Sequence, residues 1–192
     1  MKILVIGSAL VGQPVIEEAQ SRGHEVTIGS RSGEFTVDIT NTQQLAEAID
    51  NPAFDATVIA VAGRNNLDAT AEAHKALVEH GFNGRLLVVG GAGSLEVDGV
   101  RLSEMDSFPA EYKDEAIAFG KVLDAYRGYG KDNWTLVSPS PVLAPGAATG
   151  SIALGTDSPV GDNLTTGDLA VAIIDELENP QHQGARFTVA SV

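Results

Sequence analysis

Short uninterrupted apolar runs alternate with stretches of helical periodicity along most of this chain, and no other feature restricts its architecture so much. Ile3-Leu4-Val5-Ile6, Val58-Ile59-Ala60-Val61 and Leu86-Leu87-Val88-Val89 are apolar at consecutive positions rather than at every second one, the pattern of strands buried on both faces. Strands of that kind separated by helices assemble as βαβ units into a parallel sheet. The first half reads as a strand at Lys2 to Ile6, then a helix entered near Pro14 with Val15, Ile16 and Ala19 inward and Gly23 as terminator. A strand at Glu25 to Gly29 follows, with a short extended piece at Thr36 to Ile39 and a helix capped by Thr40 or Asn41 and running to about Ile49. Thr57 to Val61 is the next strand, Asn66 to His80 a helix stopped by Gly81, and Arg85 to Val89 a strand that ends in Gly90-Gly91-Ala92-Gly93-Ser94.

The second half has longer connections. Leu95 to Pro109 reads as a long loop, and loops beyond about 12 residues in a compact domain are usually functional. A helix from about Pro109 to Tyr126, a strand at Trp134 to Val137 and a Pro/Gly-rich stretch at Ser138 to Gly150 come next. Thr165-Thr166-Gly167-Asp168 resembles a capping box with Asp in place of Glu, opening a helix that stops before Pro180, and Arg186 to Ala190 closes the reading as a strand. No repeat or linker divides the chain, and 192 residues fit one domain. The expected fold is α/β: a doubly wound parallel sheet in a single domain, 1–192.

Composition removes several functions. A net charge of −14 repels nucleic acid and anionic membrane surfaces, whose binding depends on Lys and Arg neutralising phosphates. No run approaches the roughly 18 apolar residues of a membrane span. The opening run Met1 to Gly12 has a secretory look but lacks a small-residue cleavage site. With no cysteine there is no disulfide, thiolate nucleophile or cysteine metal site, which suits a reducing cytoplasm. His24, His74, His80 and His182 have no metal-ligand spacing, so no metal is expected.

A glycine turn between strand and helix is the context in which such a motif signals a dinucleotide. Here it reads Gly7-Ser8-Ala9-Leu10-Val11-Gly12, the spacing of GxGxxG with Ala9 in the middle position. The helix N-terminus behind it offers N–H groups and positive dipole to a phosphate, although a tight turn without a ligand has the same outline. After the second strand, Ser30-Arg31-Ser32 replaces the acidic residue that holds a ribose 2′-hydroxyl in NAD sites. An arginine between two hydroxyls in so acidic a chain is a phosphate cradle, and it predicts NADP over NAD; the alternative is a solvated turn.

These residues, with Val37-Asp38-Ile39-Thr40 and Ala60-Val61-Ala62-Gly63, resemble an atypical short-chain dehydrogenase/reductase with a Rossmann-like fold. The segments Arg85 to Val97, Phe108-Pro109-Ala110-Glu111-Tyr112-Lys113, Trp134 to Pro139 and Arg186-Phe187-Thr188-Val189 are similar to the NAD(P)H-binding NADH-flavin reductase group. The resemblance implies that Asp38 and Ile39 flank the adenine and that Ala60, Val61, Ala62 and Gly63 line the path to the nicotinamide. It also implies that Ser140, Pro141 and Val142 sit beside that ring. A helix cap near Thr40 is the other reading of Asp38.

Short-chain dehydrogenases that reduce ketones use Tyr and Lys four apart, the lysine lowering the tyrosine pKa. Tyr112 is followed at that offset by Ala116, Tyr126 by Gly130 and Tyr129 by Asn133, so the pair is missing. Tyr112 also begins a stripe with Ala116, Phe119, Leu123 and Tyr126 at helical spacing, which reads equally as a core face. Ser94, in the glycine-rich loop after a central strand, is the candidate hydrogen-bond donor to an acceptor, or a plain loop serine. Without the Tyr/Lys pair the acceptor should be one that delocalises charge. The expectation is an NADPH-dependent reductase acting on a planar flavin such as FMN, or on a quinone, between loops 92–108 and 140–165. A non-catalytic NADP-binding sensor of the nitrogen-repressor-like kind is the alternative, and a homodimer is left open.

Overall fold

In the computed structural model, which describes residues 1–63 and 66–192, the expected alternation becomes one extended sheet with helices on both faces. In chain order the elements are β1 (Lys2–Ile6), α1 (Gly12–Ser21), β2 (Glu25–Ser30), β3 (Phe35–Thr36), α2 (Thr42–Ile49), β4 (Ala56–Ile59), α3 (Leu67–His80) and β5 (Leu86–Val89). They continue with β6 (Glu96–Val97), β7 (Val100–Arg101), α4 (Lys113–Arg127), β8 (Trp134–Pro139), β9 (Val142–Ala144), β10 (Ile152–Gly155), β11 (Asn163–Thr165), α5 (Thr166–Glu178) and β12 (Ala185–Ser191). The main sheet is 8-stranded in the order β10-β12-β8-β5-β4-β1-β2-β3, parallel throughout except for β10 against β12. The fold is Rossmann-like, and the lead run Lys2–Ile6, with its secretory look, is a central strand paired with β2 and β4.

Strand pleat explains why those runs had to be continuously apolar. Ile3 and Val5 pack toward α1 and α5 with Val15, Ile16, Leu169 and Ile173, while Leu4 and Ile6 pack toward α2, α3 and α4 with Leu45, Leu77 and Leu123. Each strand feeds two cores. The helix ends follow local chemistry: Asn41 and Asn66 side chains accept from the N–H of Gln44 and Ala69 (3.1 and 3.2 Å), and Gly23 and Gly81 close α1 and α3 at positive φ.

Several expectations need correction. The segment Leu95 to Pro109 is not a plain loop, because Val97-Asp98-Gly99-Val100 turns the β6–β7 hairpin with Asp98 and Gly99 both at positive φ. Within Ser138 to Gly150, β8 runs on to Pro139, and Val142–Ala144 pairs with Asn163–Thr165 as a second small parallel sheet. The capping box is half made: Thr165 Oγ1 accepts from Asp168 N–H (3.0 Å), but the Asp168 carboxylate turns to Thr149 and Ser191. That buried carboxylate ties the Gly146–Gly150 stretch to α5.

Between α3 and α4 lies a buried polar pair. His74 Nδ1 and the Tyr126 hydroxyl are 2.9 Å apart, and both residues are enclosed among Phe82 and Trp134. Burial pushes the His74 imidazole down to about 4, so it is neutral in the folded protein. In the unfolded chain it titrates near 6.5. The folded value is the lower one, so the stability this neutral group carries is complete above pH 6.5 and lost as pH falls toward 4, about 3 kcal/mol at most. Urea unfolding at pH 7 and pH 4.5 should therefore show a smaller acid loss for His74→Gln than for wild type; equal losses would contradict a neutral buried His74.

Candidate functional site

The carboxyl ends of β1 and β4 face the point where the sheet order reverses, with β2 on one side and β5 on the other. Ligands of open α/β sheets bind in that crevice. Beyond β1 the chain turns at Gly7, whose φ of +95° is ready only for glycine. A Cβ there would lie 2.8 Å from Ala60 O and 2.9 Å from Val61 Cγ2, so the turn presses against the segment leaving β4. A Cβ on Gly12 would sit 1.8 Å from Gly7 O, because α1 begins directly on the turn's carbonyl. Both outer glycines are thus demanded by packing. Ala9 is exposed and, unlike Gly7, holds a negative φ, so its methyl group strains nothing in the turn.

The first turn of α1 is left open. Val11 at its N-cap offers no side-chain hydrogen bond and the turn has no acidic residue, but Gln13 N–H already donates to Ala9 O (3.0 Å) and Pro14 has no N–H, so what faces an anion is the positive dipole end with the N–H of Gly12. Ser8, Ala9 and Leu10 line the exposed lip. A dinucleotide pyrophosphate fits this arrangement, as the glycine cradle keeps side chains out of its path.

After β2, Arg31 and Ser32 are exposed and Ser30 is half-buried. Asp38 lies across the same turn: its Oδ1 accepts from Thr40 N–H and hydroxyl (2.9 and 2.7 Å), which holds the carboxyl below the usual carboxylate range, and the Arg31 charge lowers it further. Asp38 is thus not the cap of α2, which is Asn41; its carboxylate is engaged by Thr40 two residues on. Ile39 is half-buried beside it. Ala60, Val61, Ala62 and Gly63 are half-buried along the edge, and Gly63 bends at φ +62° so closely over α3 that a Cβ would reach 1.8 Å from Thr70 Oγ1.

The far end of the crevice is less open. Ser140 is buried and donates to Val189 O (2.8 Å), with Pro141 and Val142 exposed after it. Ser94 is 1% exposed, donates to Gly91 O (3.1 Å) and lies 3.2 Å from Arg186 Nη1. Tyr112, by contrast, is 56% exposed on the residue that leads into α4, whereas Ala116, Phe119, Leu123 and Tyr126 are buried. The stripe is a core face, and Tyr112 stands outside it. A Cβ on Gly93 would meet Ala116 Cβ at 2.3 Å and Phe108 Cζ at 3.5 Å, so the Ser94 loop, Phe108 and the start of α4 converge. Arg186, read in the sequence as a strand residue within a segment of family resemblance and given no task of its own, reaches this loop from β12; its signal was a lone cation amid apolar neighbours. Clefts of about 390 and 410 Å³ lie along the outer side of α4, and neither includes a residue of the glycine turn.

Fold and crevice together define a nucleotide-binding Rossmann-type protein. Residues 7–180 match the NAD(P)H-binding family, and this chain belongs to it. It is 38% identical to the uncharacterized protein YwnB of Bacillus subtilis (strain 168) over an alignment of 212 residues, covering all of this chain and 99% of that one. Among solved structures it is similar to SP1627 of Streptococcus pneumoniae TIGR4, provisionally named an NADH-flavin reductase (28% identity, full coverage of both chains, TM-score 0.84). A Bacteroides thetaiotaomicron protein provisionally named an epimerase is also similar (29% identity, 100% of this chain and 97% of that one, TM-score 0.80). Among the described residues, no helix is long and apolar enough to cross a membrane and no group of three or more His, Cys, Asp or Glu is placed to hold a metal.

The two glycine contacts are testable by stability. Gly12→Ala should cost about 2 to 3 kcal/mol in urea unfolding, since the new methyl meets backbone. Ala9→Gly, which changes only an exposed methyl, should cost under about 1 kcal/mol; similar losses for both would refute the close contact.

Proposed function

We propose that this chain is an NADPH-dependent reductase that passes hydride to a planar conjugated acceptor such as FMN, another flavin or a quinone. One observation carries the cofactor reading. Arg22, Arg85, Arg101, Arg127 and Arg186 each pair with a carboxylate, while Arg31 has none within ion-pair distance among the described residues. In a chain of net charge −14 an exposed arginine on the turn after β2, with no carboxylate at ion-pair distance, suits a 2′-phosphate.

The residues then have distinct tasks. The turn Gly7 to Gly12, with the positive end of the α1 dipole behind it, holds the pyrophosphate; Ser30, Arg31 and Ser32 hold the 2′-phosphate; Asp38, ionised by its Thr40 contacts, accepts from the adenine amino group. Ala60, Val61, Ala62 and Gly63 give a smooth wall, and Pro141 and Val142 offer apolar surface to one face of the nicotinamide beside Ser140. The bound nicotinamide supplies the hydride. On the acceptor side, exposed Tyr112 offers a ring for stacking, and Ser94 shapes the floor of the loop beneath it. Neither has a lysine to lower a tyrosine pKa, so the acceptor must spread the incoming charge and take its proton from water at the open edge. Absence of cysteine suits cytoplasmic reducing conditions.

The inward-turned Ser94 hydroxyl favours one second reading, a non-catalytic NADP-binding sensor. The loss of NADPH absorbance with FMN, riboflavin or a small quinone separates the two. Oxidation by at least one acceptor supports the reductase; tight NADPH binding without oxidation supports the sensor; binding of neither dinucleotide refutes both. Arg31→Ala should weaken NADPH about tenfold, roughly 1.4 kcal/mol, and leave NADH within twofold. An equal loss for both would remove the 2′-phosphate assignment.

A further inference from the structure

On the α4 side of the sheet β12 has no helix over it. Phe187 and Val189 turn toward the α5 core, and Arg186 points the other way. There its guanidinium, 0% exposed, meets a layer of loops. Nη1 donates to Ser94 O (3.1 Å) and lies 3.2 Å from Ser94 Oγ and 3.4 Å from Ser138 Oγ. Nε donates to Asp157 Oδ1 (3.0 Å), and Nη2 reaches both Asp157 Oδ1 and Asp157 O. Arg127 Nη2 shares that carboxylate from the solvent side at 2.6 Å, and Glu96 N–H donates to Asp157 O (2.8 Å).

We propose that Arg186 is the positioning residue of the acceptor side, fixing the Ser94 loop and the Asp157 segment as a single unit without touching the acceptor itself. This rests on the reductase reading above, because those two segments belong to the two loops expected to enclose the acceptor. The loops arise from separate crossovers and meet through polar atoms: the Glu96 N–H to Asp157 O bond, the more exposed Arg127, which reaches both Glu96 (3.8 Å) and Asp157, and the fully buried Arg186. A guanidinium provides donors in three directions from one rigid strand, whereas an ammonium is a compact charge that cannot span all three segments. By donating to Ser94 Oγ, Arg186 also leaves the serine proton pointing at Gly91 O, which sets the hydroxyl and the shape of the floor under Tyr112. Asp157, held below the usual carboxylate range by both arginines despite its partial burial, stays charged and keeps the node neutralised.

The test uses the full chain with Arg186→Lys and the control Arg127→Met. NADPH affinity, FMN-dependent NADPH oxidation and amide hydrogen exchange of segments 91–96, 156–160 and 3–6 are measured. Arg186→Lys should leave NADPH affinity within twofold, raise exchange at least tenfold in 91–96 and 156–160 but not in 3–6, and raise KM for FMN at least tenfold with kcat changed less than threefold. Arg127→Met, which removes only a solvent-side pair to Glu96 (3.8 Å) and to Asp157, should raise exchange in 91–96 less than threefold. Unchanged exchange and KM in Arg186→Lys would overturn the proposal, and so would a uniform rise that includes 3–6, the mark of a general stability role. If wild type leaves FMN unreduced, the reductase reading falls while the exchange pattern still decides the positioning role. Should Arg186→Lys fail to fold, Asp157→Asn loosens the same node from its 49% exposed side; protection of 91–96 as in wild type would then refute the link.

Discussion

The parallel ladder consumes the backbone donors and acceptors of every central strand and buries both of its faces, so chemistry is confined to the loops at the ends. Between β1 and β4 the strand order turns in opposite directions, and the loops that leave them are drawn apart. That gap is where α1 can start without another element over it. The near-contact of Gly7 O with Gly12, and of Gly7 with Ala60, holds the helix start close against the turn, with its positive dipole end toward the gap. Most of the other site features depend on this placement. Arg31 stands at the end of the next strand over, and the Ala60 to Gly63 wall is the other flank.

How much of this could be read from the residues varied with element length. β1, β4, β5 and β8 were legible because burial on both faces forces a continuous apolar run, and α1, α2 and α3 because Gly23, Asn41, Asn66 and Gly81 mark their ends. Strands of two or three residues such as β6, β7 and β9 are too short to show any period, and their partners are set by tertiary contacts. Asp168 shows the same limit on a smaller scale. Its spacing from Thr165 is that of a cap, yet Thr149 and Ser191, distant in sequence, claim its carboxylate.

The candidate site divides along similar lines. Its proposed cofactor half is built from strand ends and one tight turn, where local sequence dictates geometry, so Gly7 and Gly12 were identifiable as positions that admit no side chain. Its acceptor half is built from two long loops whose shape depends on where they meet. Ser94, read as a donor to an acceptor or as a plain loop serine, is buried; Tyr112, read as a catalytic candidate or as the first residue of a core stripe, is exposed. Both outcomes follow from the convergence of Gly93, Ala116 and Phe108, which no spacing in the chain announces.

Charge ties the two halves together. A strongly acidic chain neutralises its cations wherever geometry allows, because an arginine near several carboxylates gains by pairing with them. Arg22 is shared by Glu18, Asp175 and Glu178, and Arg101 holds Asp124 with both Nη atoms. Arg186 takes Asp157 into the interior with it. Each of these pairs joins segments far apart in the chain or braces a helix. Arg31 does neither: it sits on an exposed turn, and its electrostatic influence falls on Asp38, whose carboxylate is already engaged by Thr40. A cation without a carboxylate partner among the described residues joins no two segments of the fold, and that is the property on which the proposed 2′-phosphate role of Arg31 draws.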